Sequence, residues 1–159
     1  MNLPSILLWG FVATLILSTV MEGSRGLGWS RMSIPFIVGT MFTPSYDRAV
    51  PIGFAVHFIN GWAIALLYGV IFQDLHRATW WLGAAFGAVQ GAVMLMMILP
   101  LMPFVHPRMA TEHSGPEPTT GLEPPGFLGL NYGRRTPVFT MIAHVLYGLI
   151  LGAGYRLSA

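Results

Sequence analysis

The segment GFAVHFINGWAIALLYG, residues 53–69, carries a small residue or a histidine at every fourth position. These positions are Gly53, His57, Gly61, Ala65 and Gly69, and residues four apart share one face of an α-helix. Small residues let helix backbones approach closely in lipid, so we predict that this face packs against protein. An ionisable ring inside an apolar span is by default a functional-site hypothesis, and His57 is therefore the first candidate.

Composition predicts an integral membrane protein that forms one domain over residues 1–159. The chain is 54% hydrophobic and 9% charged, whereas soluble domains carry about 25% charged residues. The formal net charge of +2 comes with no basic run longer than the pair Arg134-Arg135, so it does not argue for nucleic acid. The absence of cysteine excludes disulfides and thiolate metal sites. Neither a nucleophile elbow nor a phosphate loop occurs, and whether the protein is an enzyme stays open.

Four apolar segments are long enough to cross a bilayer core, which takes about 20 helical residues. We place these spans at residues 4–22, 49–72, 79–100 and 136–156. Residues 29–43 are apolar but too short to span, which predicts an interfacial or re-entrant helix. Residues 103–135 are rich in proline and glycine, which predicts a long loop whose second half packs back on the bundle. The chain is therefore predicted to be an all-α, four-transmembrane-helix bundle with two long loops on one side.

The second and fourth spans carry the same pattern. His57 is followed by a glycine after four residues and by a tyrosine after eleven, and His144 is followed by the same residues at an offset of 87. The first and third spans match more weakly at an offset of 73, which aligns Gly10 with Gly83. We interpret this as an internal repeat of two similar helical hairpins, related by an axis along the membrane normal.

The repeat brings the ionisable groups to one half of the bilayer. Each repeated histidine is about seven residues inside its span, or roughly 10 Å deep at 1.5 Å per residue. The first span ends on the same side at Glu22, and the long loop adds His106 and His113. The leading interpretation is that His57 and His144 bind haem or a transition metal between them. Glu22, and also His106 or His113, would complete a non-haem metal site.

Other interpretations stay open. The histidine pair and Glu22 suit a carrier of protons, of quinone or of a small solute. Each histidine alone suits a packing role, in which one hydrogen bond to a neighbouring helix contributes about 1 kcal/mol. The chain also suits an accessory subunit of a larger membrane complex, or a homo-oligomer. In that case the glycines of Gly83-x3-Gly87-x3-Gly91 face outward to recruit a partner, and in a self-contained bundle they face inward.

The run GFLGLNYG at residues 126–133, followed by AHxxYGxxxG at residues 143–152, is similar to small four-span bacterial membrane proteins of unknown function. The resemblance implies a four-helix architecture and a bacterial inner membrane, and it brings no activity and no site residues. Six of the eight arginines fall on the side of the long loops, which predicts that those loops lie in the cytoplasm.

Overall fold

The computed structural model describes residues 1–110 and 121–157, and within them the chain forms helices and no strand. The α-helices are α1 (Leu3–Gly26), α2 (Ile34–Thr40), α3 (Tyr46–Asp74), α4 (Trp80–Val93), α5 (Leu99–Val105) and α6 (Thr136–Gly154). A π-helical turn, Met94–Ile98, joins α4 to α5, and a 3-10 segment, Phe127–Tyr132, precedes α6. In this described part, α1, α3, the continuous rod Trp80–Val105 and α6 are long and apolar enough to cross a membrane. The prediction of an all-helical fold with four helices long and apolar enough to span a membrane is confirmed.

The third span extends five residues beyond the predicted end at residue 100. Its helical rod reaches Val105 although it contains Pro100 and Pro103. Pro100 lies in the first turn of α5 and has no backbone N–H to donate to the turn before it. The π-helical turn directly before it absorbs the change in hydrogen-bond register. The two prolines therefore do not end this span.

Helix α6 lies at the centre of the bundle. It packs against α4 on one side and α1 on the other, and α1 packs in turn on α3. The first turn of α1 meets the end of α6, where the backbone N–H of Asn2 donates to Tyr155 Oη at 3.3 Å. The N–H of Arg156 donates to Ser5 Oγ at 3.1 Å. Both ends of the described chain therefore lie at the end of the bundle opposite the long connections.

The contact between α4 and α6 depends on glycine. A Cβ placed on Gly87 would lie 2.2 Å from the carbonyl oxygen of His144, and one on Gly148 would lie 2.1 Å from that of Gly83. Gly91 is also buried in this contact. Lipid provides no hydrophobic drive for helices to associate, so the helices are held by van der Waals packing. Small residues allow the backbones to approach closely enough for that packing. The glycines of α4 face inward, as predicted for a self-contained bundle.

The face of α3 that carries the opening motif also packs on protein, as predicted. A Cβ on Gly53 would lie 1.6 Å from the carbonyl oxygen of Pro35 in α2. A Cβ on Gly61 would lie 2.0 Å from Thr14 Oγ1 in α1, and Ala65 is 1% exposed. Helix α2, which falls in the segment predicted to be interfacial or re-entrant, thus lies directly on the first half of α3.

Close contacts recur at the offsets of the predicted repeat. A Cβ on Gly10 would lie 2.8 Å from the Cβ of Ala65 in α3. The offset of 73 relates Gly10 to Gly83, and the offset of 87 relates Ala65 to Gly152. A Cβ on Gly83 would lie 2.9 Å from the Cα of Gly152. This correspondence agrees with two similar hairpins, and the repeat itself stays a prediction.

The 3-10 segment before α6 packs back on the bundle through part of its length. Tyr132 is 7% exposed, whereas Phe127 is 58% exposed. The Tyr132 hydroxyl donates to the carbonyl oxygen of Glu123. Burial, reinforced by the Glu123 carboxylate and opposed by Arg31, raises the pKa of Tyr132 to about 12. Tyr132 is therefore a neutral hydrogen-bond donor that fixes the loop before the fourth span.

Candidate functional site

A cavity of about 830 Å³ lies between α3 and α4. Helices α1 and α6 form its back wall, and α2 closes it at the end of the long connections. Its volume falls within the roughly 300–1,000 Å³ that is usual for small-molecule sites. Most of the lining is aliphatic or aromatic. The polar lining residues are Thr14, His57, Asn60, Tyr68, Gln90, Thr140, His144 and Tyr147.

The two histidines predicted to form a pair both line this cavity. His57 lies on α3 and His144 on α6, so the cavity wall carries one of them from each helix. The Nε2 atom of His57 is buried and has no hydrogen-bond partner among the described residues. The hydroxyl of Thr140, one helical turn from His144, is buried and likewise lacks a partner in that part of the chain. Buried polar atoms almost always find partners, so these two call for an explanation.

The ring of His144 is held in one tautomer. Its Nδ1 atom lies 2.8 Å from the carbonyl oxygen of Thr140, and a carbonyl oxygen only accepts hydrogen bonds. Nδ1 therefore carries the proton, and Nε2 of the neutral ring carries a lone pair. His144 is 7% exposed and lines the cavity, so this nitrogen is an acceptor or a ligand within a dry site. The same use of a backbone carbonyl orients histidines that bind metals.

A layer of tyrosine and amide side chains forms another part of the wall. The Tyr68 hydroxyl donates to Gln90 Oε1 at 2.8 Å, which connects α3 to α4 across the cavity. The Tyr147 hydroxyl donates to the carbonyl oxygen of Gly61 at 2.6 Å, which connects α6 to α3. The ring of Tyr68 meets the rings of Tyr147 and Phe86 edge-on, each at 5.9 Å between centroids. Because Oε1 of Gln90 is occupied, its amide nitrogen is left as a donor.

The cavity opens sideways between α3 and α4. Leu67 of α3 and Val89 and Val93 of α4 line it and are also 53%, 63% and 40% exposed. Exposed apolar side chains in the middle of a membrane span face lipid. The cavity is therefore continuous with the lipid-facing surface of the protein.

Glu22 lies elsewhere. Its carboxylate accepts from Arg25 Nε at 2.8 Å through one oxygen and from Ser33 Oγ at 2.8 Å through the other. It joins the end of α1 to the chain before α2 and does not line the cavity. The structure therefore does not bring Glu22 together with His57 and His144.

His106 fastens α2 to the end of α5. Its Nε2–H donates to the carbonyl oxygen of Ile37 at 2.9 Å, and its Nδ1 accepts from the backbone N–H of Arg108 at 3.1 Å. The Arg108 guanidinium donates to the carbonyl oxygen of Thr40 at 2.6 Å. Burial lowers the pKa of His106 from its usual 6.5; the bond to Ile37 opposes this shift, and the charge of Arg108 reinforces it. His106 is thus a neutral structural link outside the cavity.

The predicted non-haem metal site gains no support. Within residues 1–110 and 121–157, no group of three or more histidine and acidic side chains is gathered as a metal site would require. His113, the other loop histidine proposed as a ligand, lies outside the described residues. What the structure brings together is the histidine pair alone.

Sequence analysis selected two of the eight polar residues that line the cavity, and Asn60, Gln90 and Tyr147 are among those it missed. Asn60 and Gln90 lie near the middle of their spans, and an amide side chain at that depth is a signal in its own right, because polar groups are costly in lipid. Tyr147 follows His144 by less than one turn and gave no separate signal. Its role depends on α3 coming within hydrogen-bond reach, which no sequence pattern states.

Comparison with models of known protein families, with curated proteins and with solved structures finds no match. The likeness to small four-span bacterial proteins therefore stays a prediction, and function has to be argued from the cavity.

Proposed function

We propose that the protein binds a membrane-soluble organic ligand in the cavity between α3 and α4, with His57 and His144 as its polar contacts. One observation carries the proposal: a largely apolar cavity is lined by His57 and Thr140, whose buried Nε2 and Oγ1 atoms lack a partner within the described ranges. Leaving such an atom unpaired costs about 1–3 kcal/mol. The polar head of a bound ligand would supply the missing hydrogen bonds, and its apolar part would fill the remaining volume.

Haem is the second candidate. It is favoured by the Nδ1 anchor of His144, which leaves the Nε2 lone pair available to iron. The cavity and the small residues beside each histidine would accommodate a flat macrocycle, and His57 would be the second residue to hold it. Other transition metals are less well supported, because the described cavity wall offers two histidines and no acidic side chain.

The remaining alternatives lose part of their basis. A proton or solute carrier would have to work without Glu22 at the site, because that carboxylate is engaged by Arg25 and Ser33. Recruitment of partner subunits through the α4 glycines is not supported, since those glycines are buried against α6. An accessory role through another surface stays open.

The test is to identify what the purified protein carries. Protein extracted in a mild detergent would be analysed by organic extraction and mass spectrometry, by absorption spectroscopy and by metal analysis. We expect one apolar compound near equimolar amount, reduced in His57→Phe and His144→Phe and retained in the control His76→Phe, since His76 is exposed in the turn after α3. A Soret band lost in both cavity variants would select haem instead. If the wild type and His76→Phe carry no compound or chromophore that the two cavity variants lack, the proposal is wrong.

A further inference from the structure

We infer that the ligand is a hydroxylated aromatic ring with an apolar chain, the chemistry of a quinol, and that it enters from the bilayer between α3 and α4. This inference rests on the proposed function and names the ligand class and its route. It is carried by three independent features of the cavity: the pattern of donors and acceptors, the lack of charge on its described wall and the position of the opening.

The donors and acceptors of the wall are complementary to a ring with oxygen at two positions. His144 offers an acceptor at Nε2, because its Nδ1–H is committed to Thr140. Gln90 offers an amide donor, because its Oε1 accepts from Tyr68. A ligand matching both would donate through a hydroxyl to His144 and accept through a second oxygen from Gln90. A simple hydrocarbon satisfies neither contact, and a carboxylate satisfies only the second.

The described wall carries no fixed charge. Among its lining residues there is no arginine and no carboxylate, and the ionisable ones are histidine and tyrosine. An ionic head group taken into such a site would lose its hydration without gaining a counter-ion, which is strongly unfavourable. Phospholipids and fatty acids are therefore poor occupants, and a neutral polar head is favoured.

The shape of the wall suits a flat ring with a tail. Tyr68, Tyr147 and Phe86 form a cluster of edge-on rings beside the polar atoms, and aromatic ligands gain from such contacts. Leu67, Val89 and Val93 line the opening that faces lipid. An apolar chain would leave through this opening while the ring occupied the interior, so the ligand need never pass through water.

The experiment uses tritiated decylhydroquinone, kept reduced without oxygen, bound to the full chain in nanodiscs. Unlabelled decylhydroquinone and its dimethyl ether compete, and the ether keeps the ring and tail but has no hydroxyl donor. We expect the ether to compete about tenfold more weakly, the usual effect of losing one buried hydrogen bond. His144→Phe should abolish this preference, whereas His76→Phe should keep it. Equal competition by ether and hydroquinone in the wild type would overturn the assignment of the head group.

The route is tested with a matched pair of substitutions. Val93→Trp fills the opening, whereas Val70→Trp adds the same bulk at a position on α3 that is 51% exposed and does not line the cavity. We expect loss of most decylhydroquinone binding in V93W and wild-type binding in V70W. Unchanged binding in V93W would overturn the lateral route.

The two proposals fail in different ways. If neither a copurified compound nor decylhydroquinone is bound, the proposed function itself is wrong. If another compound copurifies and decylhydroquinone does not displace it, the binding function stands and the quinol assignment is wrong.

Discussion

Helix α4 contacts its two neighbours in opposite ways. Towards α6 it presents Gly83, Gly87 and Gly91, and the two backbones meet so closely that no Cβ would fit at Gly83 or Gly87. Towards α3 it presents larger side chains, among them Phe86 and Val89, and there the helices leave the cavity. We call the contact of α4 with α6 the closed side of this span, and the side of α4 that faces α3 across the cavity the open side.

The difference shows what holds helices together when lipid surrounds them. Apolar side chains gain little by leaving lipid for protein, so close packing requires small residues on both helices. The closed side meets that condition and the open side does not. On the open side the helices are connected by hydrogen bonds, from Tyr68 to Gln90 and from Tyr147 to the Gly61 carbonyl. We therefore expect the closed side to carry the stability of the bundle and the open side to accommodate a ligand.

The largest expected effect comes from opening the closed side. Gly87→Ala places a methyl group against the His144 carbonyl oxygen, which lies only 2.2 Å from the position that the new Cβ would take. We expect a net loss of about 1–3 kcal/mol in the free energy of unfolding, because overpacking against backbone outweighs the better helix propensity of alanine. Unfolding of the purified protein in detergent, followed by tryptophan fluorescence, measures this loss.

Gly23→Ala is the matched control for this substitution. Gly23 is also a glycine inside a long helix, but a Cβ there would meet no described atom within 4 Å. Its replacement should be neutral or stabilising by up to about 1 kcal/mol. Equal stability of the two variants would contradict the assignment of the α4–α6 contact as the closed side.

A smaller effect is expected on the open side. Tyr147→Phe removes the hydroxyl that donates to the Gly61 carbonyl and leaves the ring in place. We expect about 1 kcal/mol of lost stability, the usual net contribution of a neutral hydrogen bond. Tyr46→Phe serves as control because Tyr46 is 66% exposed. A loss as large as that of Gly87→Ala would show that hydrogen bonds, and not glycine packing, dominate the bundle.

The fold was largely predictable because its signals are long. Four apolar segments of about 20 residues predict the spans, and the glycines at every fourth position predict faces such as that of Gly53 and Gly61. The end of the third span was missed because proline usually stops a helix, whereas here a π-helical turn precedes Pro100. A π-helical turn has no sequence pattern that distinguishes it from ordinary helix.

The candidate site was predictable only in part. The repeat selected His57 and His144, and both line the cavity. Glu22 was predicted to join the histidines because its span ends on the same side of the membrane. That side does not determine which way a side chain points, and the Glu22 carboxylate binds Arg25 and Ser33 instead. The cavity itself was not predicted. It depends on α3 and α4, adjacent in sequence, packing closely on other helices and meeting each other only through side chains such as those of Tyr68 and Gln90.

The smallest expected effect concerns the hydrogen bond between His106 and the carbonyl oxygen of Ile37, which fastens α2 to the end of α5. This effect depends on pH. Burial lowers the pKa of His106 below 6.5 in the folded protein, with Arg108 adding to the shift. The unfolded chain therefore binds the proton more readily, so this histidine's contribution is full above pH 6.5 and is lost as the pH falls below it. His106→Gln removes the titrating group, so its stability relative to the wild type should improve as the pH is lowered from 7.5 to 5. Unfolding midpoints of both proteins across this range measure the difference. A constant difference would show that the pKa of His106 is the same in the folded and unfolded states.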